Sequence, residues 1–188
     1  MNTNKLFVLS GPSGVGKGTL AKMLIKNNPD ISLSISCTTR TARVGEVDGK
    51  DYFFITKEEF LSKVEKGGFL EYSNHFDSYY GTPKDYVEET LKTSHVLLEI
   101  DVNGGLEVKK ATESAKLIFI APPSLEELKN RLIKRNTETI EKIEKRLSRL
   151  DYELSQKDCY DYVVINDDLD KAYNEIMEII EKEKRSAL

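Results

Sequence analysis

A glycine-rich segment carrying one lysine has the residue types and spacing to bind phosphate groups. It consists of Gly11-Pro12-Ser13-Gly14-Val15-Gly16-Lys17-Gly18-Thr19. The segment follows the apolar run Leu6–Leu9 and opens a stretch with helical spacing. Glycines let backbone N–H groups point at an anion, a helix N-terminus adds partial positive charge, and Lys17 adds a full charge. We therefore predict a site for the phosphates of a nucleoside triphosphate; the alternative is a turn that only joins a strand to a helix.

A second group of basic and hydroxyl residues lies in the segments 36–43 and 45–52. Arg40 and Arg43 are three residues apart with hydroxyl side chains around them, and paired guanidinium groups can hold a phosphate through bidentate hydrogen bonds. Tyr52 offers a further phenolic donor. We predict a second phosphate site here. The alternative is a solvent-exposed basic loop, because pairs of arginines are common on loops.

Two acidic residues have surroundings that predict recognition of a base or a metal. Glu71 lies among apolar and aromatic residues in the segment 69–82. A carboxylate there could accept two hydrogen bonds from guanine, whereas adenine lacks that donor pair and would leave the acid unpaired. Asp101 follows an apolar run at the position where phosphates lie in such sheets, so it could contact the base or a magnesium-bound water. The alternatives are an exposed acid on a strand edge and a simple turn aspartate.

Arginines are unusually frequent between residues 125 and 154, at Arg131, Arg135, Arg146 and Arg149. Arg131 and Arg135 share one helical face at i, i+4 spacing, where like charges repel and an anion would relieve the repulsion. Phosphoryl transfer needs positive charge around the oxygens of the transferring group. We predict a helical lid that supplies this charge. The alternative, a surface helix balanced by neighbouring acids, stays open for Arg149 in particular.

The elements that position these residues follow from the hydrophobic pattern. Four apolar runs are typical of buried parallel strands, namely Leu6–Leu9, Val96–Ile100, Leu117–Ala121 and Tyr162–Ile165. Helical patterns separate or follow most of them, which predicts an α/β doubly wound parallel sheet. The helix after the glycine-rich segment should end near Asn27, before Pro29. Capping hydroxyls are expected at Thr56, Thr82 and Ser124.

The chain divides into one core and two additions. The core comprises residues 1–33, 84–124 and 155–188, and its last helix should be capped by Asp167 or Asp168 and carry one apolar stripe. The short aromatic-rich segments and glycine-bearing turns of residues 34–83 predict a small, mostly β insertion, with a helix from Lys57 to about Lys66. Residues 125–154 form the predicted lid, interrupted near Asn136. We treat the whole as a single domain.

Composition excludes several functions. The chain has 188 residues and a net charge of −4, which makes it a poor general binder of nucleic acid. No apolar run reaches the length of a membrane span, and we expect a cytoplasmic protein without a membrane partner. Cys37 and Cys159 lie far apart and predict neither a disulfide framework nor a zinc site, and His75 and His95 lack the spacing of metal ligands. The sequence does not indicate an oligomeric state.

Taken together, the motifs resemble those of the guanylate kinase family over about Leu6 to Tyr173. The resemblance includes Thr-Thr-Arg-x-x-Arg-x-Gly-Glu, Asp-Gly-x-Asp-Tyr, Tyr-Tyr-Gly-Thr, Glu-Ile-Asp-Val and Asn-Asp-Asp-Leu-Asp, besides the glycine-rich segment. It implies a nucleoside monophosphate kinase fold with a GMP-binding insertion and a lid. It also implies transfer of a phosphoryl group from ATP, with Mg²⁺, to GMP, in purine nucleotide metabolism. We expect dGMP to be accepted as well.

The resemblance also implies a role for each matching residue. The GMP phosphate would meet Arg40, Arg43, Tyr52 and Tyr80, and the guanine would meet Ser36, Glu71, Thr82 and Asp101. ATP would be held by residues 11–19, with Asn166 and Asp167 near the adenine. Arg131, Arg135 and Arg146 would close over ATP and the transferring phosphoryl group. Lys17, Arg40 and Arg43 join these three as predicted catalytic residues, and Thr19 and Asp101 are the predicted contacts of the metal, directly or through water.

Four residues depart from the expected patterns. Gly18 stands where the general phosphate loop has a serine or threonine ligand for magnesium, Asn136 replaces a glycine in the lid, and Asp77-Ser78 replaces Gly-Asn. Three rival functions also remain. These are a guanylate-kinase-like module that binds phosphopeptides, a different nucleoside monophosphate kinase, and a GTPase switch, although no Asn-Lys-x-Asp motif accompanies the latter.

Overall fold

The computed structural model describes residues 3–75, 77–128 and 140–186, with side chains in the last range from residue 148 onward. The strands are β1 Leu6–Ser10, β2 Ile31–Leu33, β3 Cys37–Thr38, β4 Phe53–Phe54, β5 Phe69–His75, β6 Ser78–Pro83, β7 His95–Glu99, β8 Lys116–Ala121 and β9 Tyr162–Ile165. The helices are α1 Lys17–Asn27, α2 Lys57–Glu65, α3 Lys84–Thr90, α4 Val102–Ala111, α5 Ile140–Ser155 and α6 Leu169–Arg185, and residues 125–128 are also helical.

A five-stranded parallel sheet with the order β2-β7-β1-β8-β9 forms the centre of the molecule. The four strands predicted from apolar runs are confirmed within one residue at each end. The prediction missed β2. This strand has only three residues, and Ile31 is the only one of them that is buried. It pairs with β7, with Ile31 opposite His95.

Helices cover both faces of this sheet, because side chains of successive strand residues point to opposite sides. Phe7 and Leu9 pack with residues of α1 and α6 on one face. Leu6 and Val8 pack with residues of α4 on the other face. The predicted doubly wound α/β architecture is therefore confirmed. The apolar stripe of α6 is confirmed too, and its fully buried members are Ala172, Ile176 and Ile180.

A second, four-stranded sheet with the order β4-β3-β6-β5 lies between residues 37 and 83. Helix α2 packs on it through Phe60, whose ring stacks on Phe69 at a centroid distance of 4.5 Å. Leu70 of β5 joins the core on the α4 side of the central sheet. The small sheet is therefore connected to the central sheet through α4, and the predicted helix near Lys57 is confirmed.

The helix caps agree with the sequence at three positions and differ at one. Thr56 forms a reciprocal capping box with Glu59, Asp168 caps α6, and the Ser124 hydroxyl accepts a hydrogen bond from the backbone N–H of Glu127. Thr82 is not a cap. Helix α3 begins at Lys84 without a side-chain cap, because the Thr82 hydroxyl donates to Glu71 instead.

Other sequence features have ordinary environments. The thiols of Cys37, which is buried, and of Cys159, which is exposed, are free. The Nδ1 atom of His95 accepts a hydrogen bond from the backbone N–H of Lys5 at 2.9 Å, which fits a packing role. Within the described ranges, no helix has the length and apolar character needed to cross a membrane. Those ranges also contain no cluster of three or more acidic, cysteine or histidine side chains that could hold a metal.

Candidate functional site

The glycine-rich segment forms a tight loop between the end of β1 and the start of α1. Gly11 has φ 140° and Gly16 has φ 105°, and L side chains rarely adopt this region. A Cβ atom at Gly11 would lie 2.3 Å from the Ile120 carbonyl oxygen, and one at Gly16 would lie 2.5 Å from the Asn166 Nδ2 atom. Both positions therefore need glycine for space as well as for backbone conformation. The loop ends at the N-terminus of α1, where helix geometry favours an anion.

Lys17 and Asn166 hold the loop in this shape. The Lys17 ammonium donates to the carbonyl oxygens of Gly11 at 2.6 Å and Pro12 at 3.0 Å. The buried Asn166 amide donates to the carbonyl oxygen of Val15 at 2.8 Å. Asn166 thus lies against the loop itself, whereas the next residue, Asp167, is exposed. The positive end of Lys17 therefore lies against the loop itself.

Arg40 is fixed by an acid that the sequence analysis did not single out. Its guanidinium makes a bidentate ion pair with Glu46, with N–O distances of 2.8 and 2.9 Å. Glu46 also accepts from the backbone N–H of Arg43 at 2.7 Å. The hydrogen bond from Arg40 is the largest cause of a pKa of about 2 for Glu46. The signal in the sequence was an acid six residues after the first arginine, inside the same loop.

Two tyrosines complete this group. The Arg40 guanidinium carbon lies 5.3 Å from the centre of the Tyr52 ring. A guanidinium N–H group of Arg40 donates a hydrogen bond to the Tyr80 hydroxyl. The Tyr52 and Tyr80 rings meet edge to face at 6.1 Å. Burial raises the pKa of Tyr52, and its neighbour Tyr80 raises it further. Arg40, Tyr52 and Tyr80 are therefore brought together as predicted, while Arg43 is exposed at the edge of the group.

Glu71 lies in a buried pocket with Thr82. Only 8% of the Glu71 surface is exposed, so it is not the exposed strand-edge acid of the alternative interpretation. The Thr82 hydroxyl donates to its Oε1 atom at 2.6 Å. Burial of a carboxylate is costly unless donors meet its oxygens. Ser36 is half-buried beside β3, and its carbonyl oxygen accepts from the backbone N–H of Phe53.

Asp101 lies next to this pocket, at the N-terminus of α4. Its Oδ1 atom accepts from the backbone N–H of Gly104 at 2.7 Å, so Asp101 caps the helix. A Cβ atom at Gly104 would lie 3.0 Å from Glu71 Oε2 and 3.3 Å from Asp101 Oδ1. The two carboxylates therefore flank one buried glycine, and any side chain at that position would crowd both of them. Both the base-contact and the turn interpretations of Asp101 are compatible with this position.

Two further acids lie beside the glycine-rich loop of residues 11–19, called the phosphate loop below, and the sequence analysis missed both. Glu99, the last residue of β7, lies beside Gly18. Glu153 lies on α5 one turn from Leu150, which is buried. Burial raises the pKa of Glu153, against the effects of Lys17 and of a hydrogen bond from the Ser13 backbone N–H. Glu153 lies in no recognised motif, and Glu99 lies inside the Glu-Ile-Asp-Val motif but was given no role, because only the folded chain brings these two acids to the loop.

Part of the predicted lid lies outside the residues that the structure describes. Arg131, Arg135 and the interruption near Asn136 lie outside the described residues, and so does the side chain of Arg146 on α5. Arg149 is described and exposed. Thr19 is exposed on the first turn of α1, next to the loop.

Comparison with known proteins gives consistent matches over nearly the whole chain. A family model described as guanylate kinase matches residues 3–183. A guanylate kinase of Oceanobacillus iheyensis is 50% identical over 179 residues, covering 95% of this chain and 87% of the relative. One of Caldanaerobacter subterraneus subsp. tengcongensis is 52% identical over 180 residues, with the same coverage of 95% and 87%.

Solved structures agree with these matches. The crystal structure of guanylate kinase from Anaplasma phagocytophilum superposes with a TM-score of 0.76 at 36% identity, covering 96% of this chain and 86% of that one. A shikimate kinase from Bacteroides thetaiotaomicron gives a TM-score of 0.55 at 15% identity, covering 94% and 98%, which indicates a shared fold only.

Proposed function

The chain belongs to the guanylate kinase family, and from this premise we propose that it transfers the γ-phosphoryl group of ATP to GMP, giving ADP and GDP. The matching family model and the similar relatives confirm the family that the sequence motifs predicted. The proposal is carried by two groups that are suited to bind anions. One is the loop with Lys17, and the other is Arg40 with its tyrosines.

In this proposal the phosphate loop holds ATP. Backbone N–H groups of residues 11–19 and the N-terminus of α1 face the phosphates, and Lys17 exchanges its loop carbonyls for phosphate oxygens. Asn166 supports the loop from behind through its bond to Val15. The rigid glycine positions keep the backbone N–H groups aimed at the anion, so little reorganisation is needed when the nucleotide binds.

The GMP phosphate would bind at Arg40. Glu46 fixes the guanidinium plane of Arg40, and Tyr52 and Tyr80 add phenolic donors beside it. Arg43, exposed at the edge, would close on the phosphate from the solvent side. Because Glu46 already holds the Arg40 side chain in place, less side-chain conformational entropy is lost when the phosphate binds.

The guanine would bind between Glu71 and Asp101. Guanine has adjacent N1–H and N2–H₂ donors that match the two oxygens of a carboxylate, and the Thr82 hydroxyl orients Glu71 toward them. Ser36 and Asp101 would contact the remaining polar edge. Adenine lacks the donor pair and would leave Glu71 buried and unpaired, at a cost of about 1–3 kcal/mol or more.

The chemical step needs no strong general base. The GMP phosphate is already largely ionised at neutral pH, so one of its oxygens can attack the γ-phosphorus in line. Lys17 would stabilise the developing charge, and the lid residues Arg131, Arg135 and Arg146 are proposed to do so from the other side. Closure over both nucleotides would exclude water and limit ATP hydrolysis.

A magnesium ion bound with ATP would neutralise part of the phosphate charge. Mg²⁺ takes oxygen ligands, typically one or two carboxylates with phosphates and waters, and the acids and the Thr19 hydroxyl beside the loop fit that preference. Because Asp101 already bonds Gly104 beside Glu71, its position favours contact with the base over contact with the metal.

A coupled assay of ADP release against GMP, dGMP, AMP, CMP and UMP tests the proposal. We expect turnover with GMP and dGMP and little with the others, because only guanine offers the paired donors to Glu71. Equal turnover with AMP would indicate a different monophosphate kinase. Phosphopeptide binding without any ADP release would support the rival binding module.

A further inference from the structure

Two hydroxyl groups hold the turn that leads from β7 into α4. The Ser10 hydroxyl donates to the carbonyl oxygen of Ile100 at 3.1 Å. The Tyr160 hydroxyl donates to the carbonyl oxygen of Val102 at 2.8 Å. Ile100 and Val102 are the neighbours of Asp101 in the chain. The two hydrogen bonds therefore fix the backbone on both sides of Asp101, the N-cap residue of α4.

The central sheet holds both of these hydroxyl groups in place. Ser10 is the last residue of β1, and Tyr160 lies two residues before β9. Both residues are buried, and the Tyr160 ring packs edge to face on Phe119 of β8 at a centroid distance of 5.2 Å. Burial raises the pKa of the Tyr160 phenol, so the hydroxyl keeps its proton at neutral pH. Water cannot readily replace either hydrogen bond at this depth.

Gly105 provides the space that the Tyr160 hydroxyl occupies. A Cβ atom at Gly105 would lie 2.4 Å from Tyr160 Oη and 3.2 Å from Tyr160 Cζ. Gly105 lies inside α4 and does not have a positive φ, so its backbone conformation does not require glycine. Alanine is also the better helix former. The close approach of the phenol therefore explains the glycine at this position.

The chemistry of guanine determines what Asp101 can contact. In the proposed pocket the two oxygens of Glu71 accept from N1–H and from one hydrogen of the 2-amino group. The second hydrogen of that amino group is then the remaining N–H donor of the base. Because an ionised carboxylate only accepts hydrogen bonds, Asp101 can pair only with this hydrogen. Hypoxanthine, the base of IMP, lacks the 2-amino group and would gain nothing from Asp101.

We propose that Ser10 and Tyr160 are positioning residues that hold Asp101 against the 2-amino group of guanine and thereby favour GMP over IMP. This inference rests on the proposed function and deepens it, because it names two residues that set base selectivity by acting through Asp101. A binding group is effective only when it is held within about 0.5 Å of its productive position by packed, hydrogen-bonded neighbours. Two buried hydroxyls on adjacent carbonyl groups meet that requirement.

The test compares the binding of GMP and IMP to the full chain by calorimetry, so it needs no turnover. Tyr160→Phe removes the hydroxyl and keeps the ring that packs on Phe119. We expect the affinity for GMP to fall at least about fivefold, the scale of one weakened hydrogen bond. The affinities for IMP and for AMP-PNP should change by no more than about twofold. The ratio of GMP to IMP affinity is decisive, because a general loosening of the fold would lower both.

A second variant and a matched control accompany this measurement. Gly105→Ala pushes the phenol off the Val102 carbonyl while favouring the helix, and we expect the same selective loss for GMP. The double variant with Tyr160→Phe should lose no more than the larger single loss, because both changes remove one and the same bond. Tyr162→Phe is the control. It removes a phenol hydroxyl that donates to Glu183 of α6, and it should leave both affinities unchanged.

The outcomes separate this inference from the proposed function. An unchanged affinity for GMP in Tyr160→Phe, or equal losses for GMP and IMP, would overturn the positioning role. Additive losses in the double variant would overturn it as well. If the unaltered protein binds GMP more tightly than IMP but releases no ADP with it, the proposed function fails, while the effect of the Tyr160 hydroxyl on base selectivity is still measured.

Discussion

Replacing Glu71 with glutamine tests the recognition of guanine most sharply. The substitution keeps the size of the side chain and removes its charge. One amide oxygen can still accept from the Thr82 hydroxyl, which now donates to Glu71 Oε1 at 2.6 Å. The other position becomes an NH₂ group. In the proposed pocket that NH₂ group would face an N–H group of guanine. Both are hydrogen-bond donors, so one hydrogen bond is lost and two donors are placed against each other.

The expected magnitude follows from the burial of the pocket. Glu71 is only 8% exposed, so water cannot readily compensate for a lost bond. Hydrogen bonds to a charged group contribute about 1.5–3 kcal/mol each. Losing one such bond and weakening the other should cost about 3 kcal/mol, which corresponds to a fall of about 100-fold in kcat/KM for GMP.

Steady-state kinetics with GMP and AMP, together with calorimetry of ATP binding, measures the effect. Affinity for ATP should change by no more than about twofold, because Glu71 lies on β5 of the small sheet and is not part of the phosphate loop. The ratio of GMP to AMP use should fall along with kcat/KM for GMP. Glu107→Gln, which removes an exposed acid from α4, is the matched control and should behave like the unaltered protein.

Two results would refute the reasoning about Glu71. A loss of less than about threefold for GMP would mean that the carboxylate does not pair with the base. Equal losses for GMP and ATP would mean that the substitution disturbs the fold or the loop instead of the base pocket.

Lys17→Ala should lower kcat by about 100-fold or more, the scale of one lost transition-state contact, and near-normal turnover would remove Lys17 from the chemistry. Nuclear magnetic resonance should place the pKa of Glu46 at about 2, and Arg40→Ala should return it toward the ordinary value of 4.5. Because the pKa of Glu46 is lower in the folded than in the unfolded protein, the ion pair with Arg40 stabilises the fold above pH 4.5, and this stabilisation is lost as the pH falls toward 2. A Glu46 pKa near 4.5 in the folded protein would contradict the pairing. Burial raises the pKa of Cys37 to about 11, so at pH 8 a thiol reagent should modify Cys159 readily and Cys37 only after unfolding, and two fast thiols would disprove this.

The sequence predicted the elements whose signal is local. Four central strands were identifiable because each is a continuous apolar run, and Thr56 and Asp168 were identifiable as caps because capping depends on neighbours in the chain. Strand β2 was missed because its three residues become a strand only by pairing with β7. Thr82 was misassigned as a cap because a distant acid, Glu71, takes its hydroxyl.

The same distinction applies to the site. The loop, the arginine pair and Glu71 carry recognisable spacing, so residue types alone indicated two phosphates and a base. Glu153 carries no such pattern, and Glu99 was given no role although it lies inside the Glu-Ile-Asp-Val motif, because the position of each acid beside the loop depends on how distant segments of the chain fold together. Glu46 lay inside a recognised motif, yet its bidentate hold on Arg40 depends on how that loop folds.

The central claim is that two nucleotides bind at once with their phosphates adjacent. Titrating GMP by calorimetry into protein saturated with Mg²⁺ and AMP-PNP tests it directly. We predict that one GMP binds per chain while the analogue stays bound. Displacement of AMP-PNP by GMP, or binding of either nucleotide only in the absence of the other, would contradict the claim.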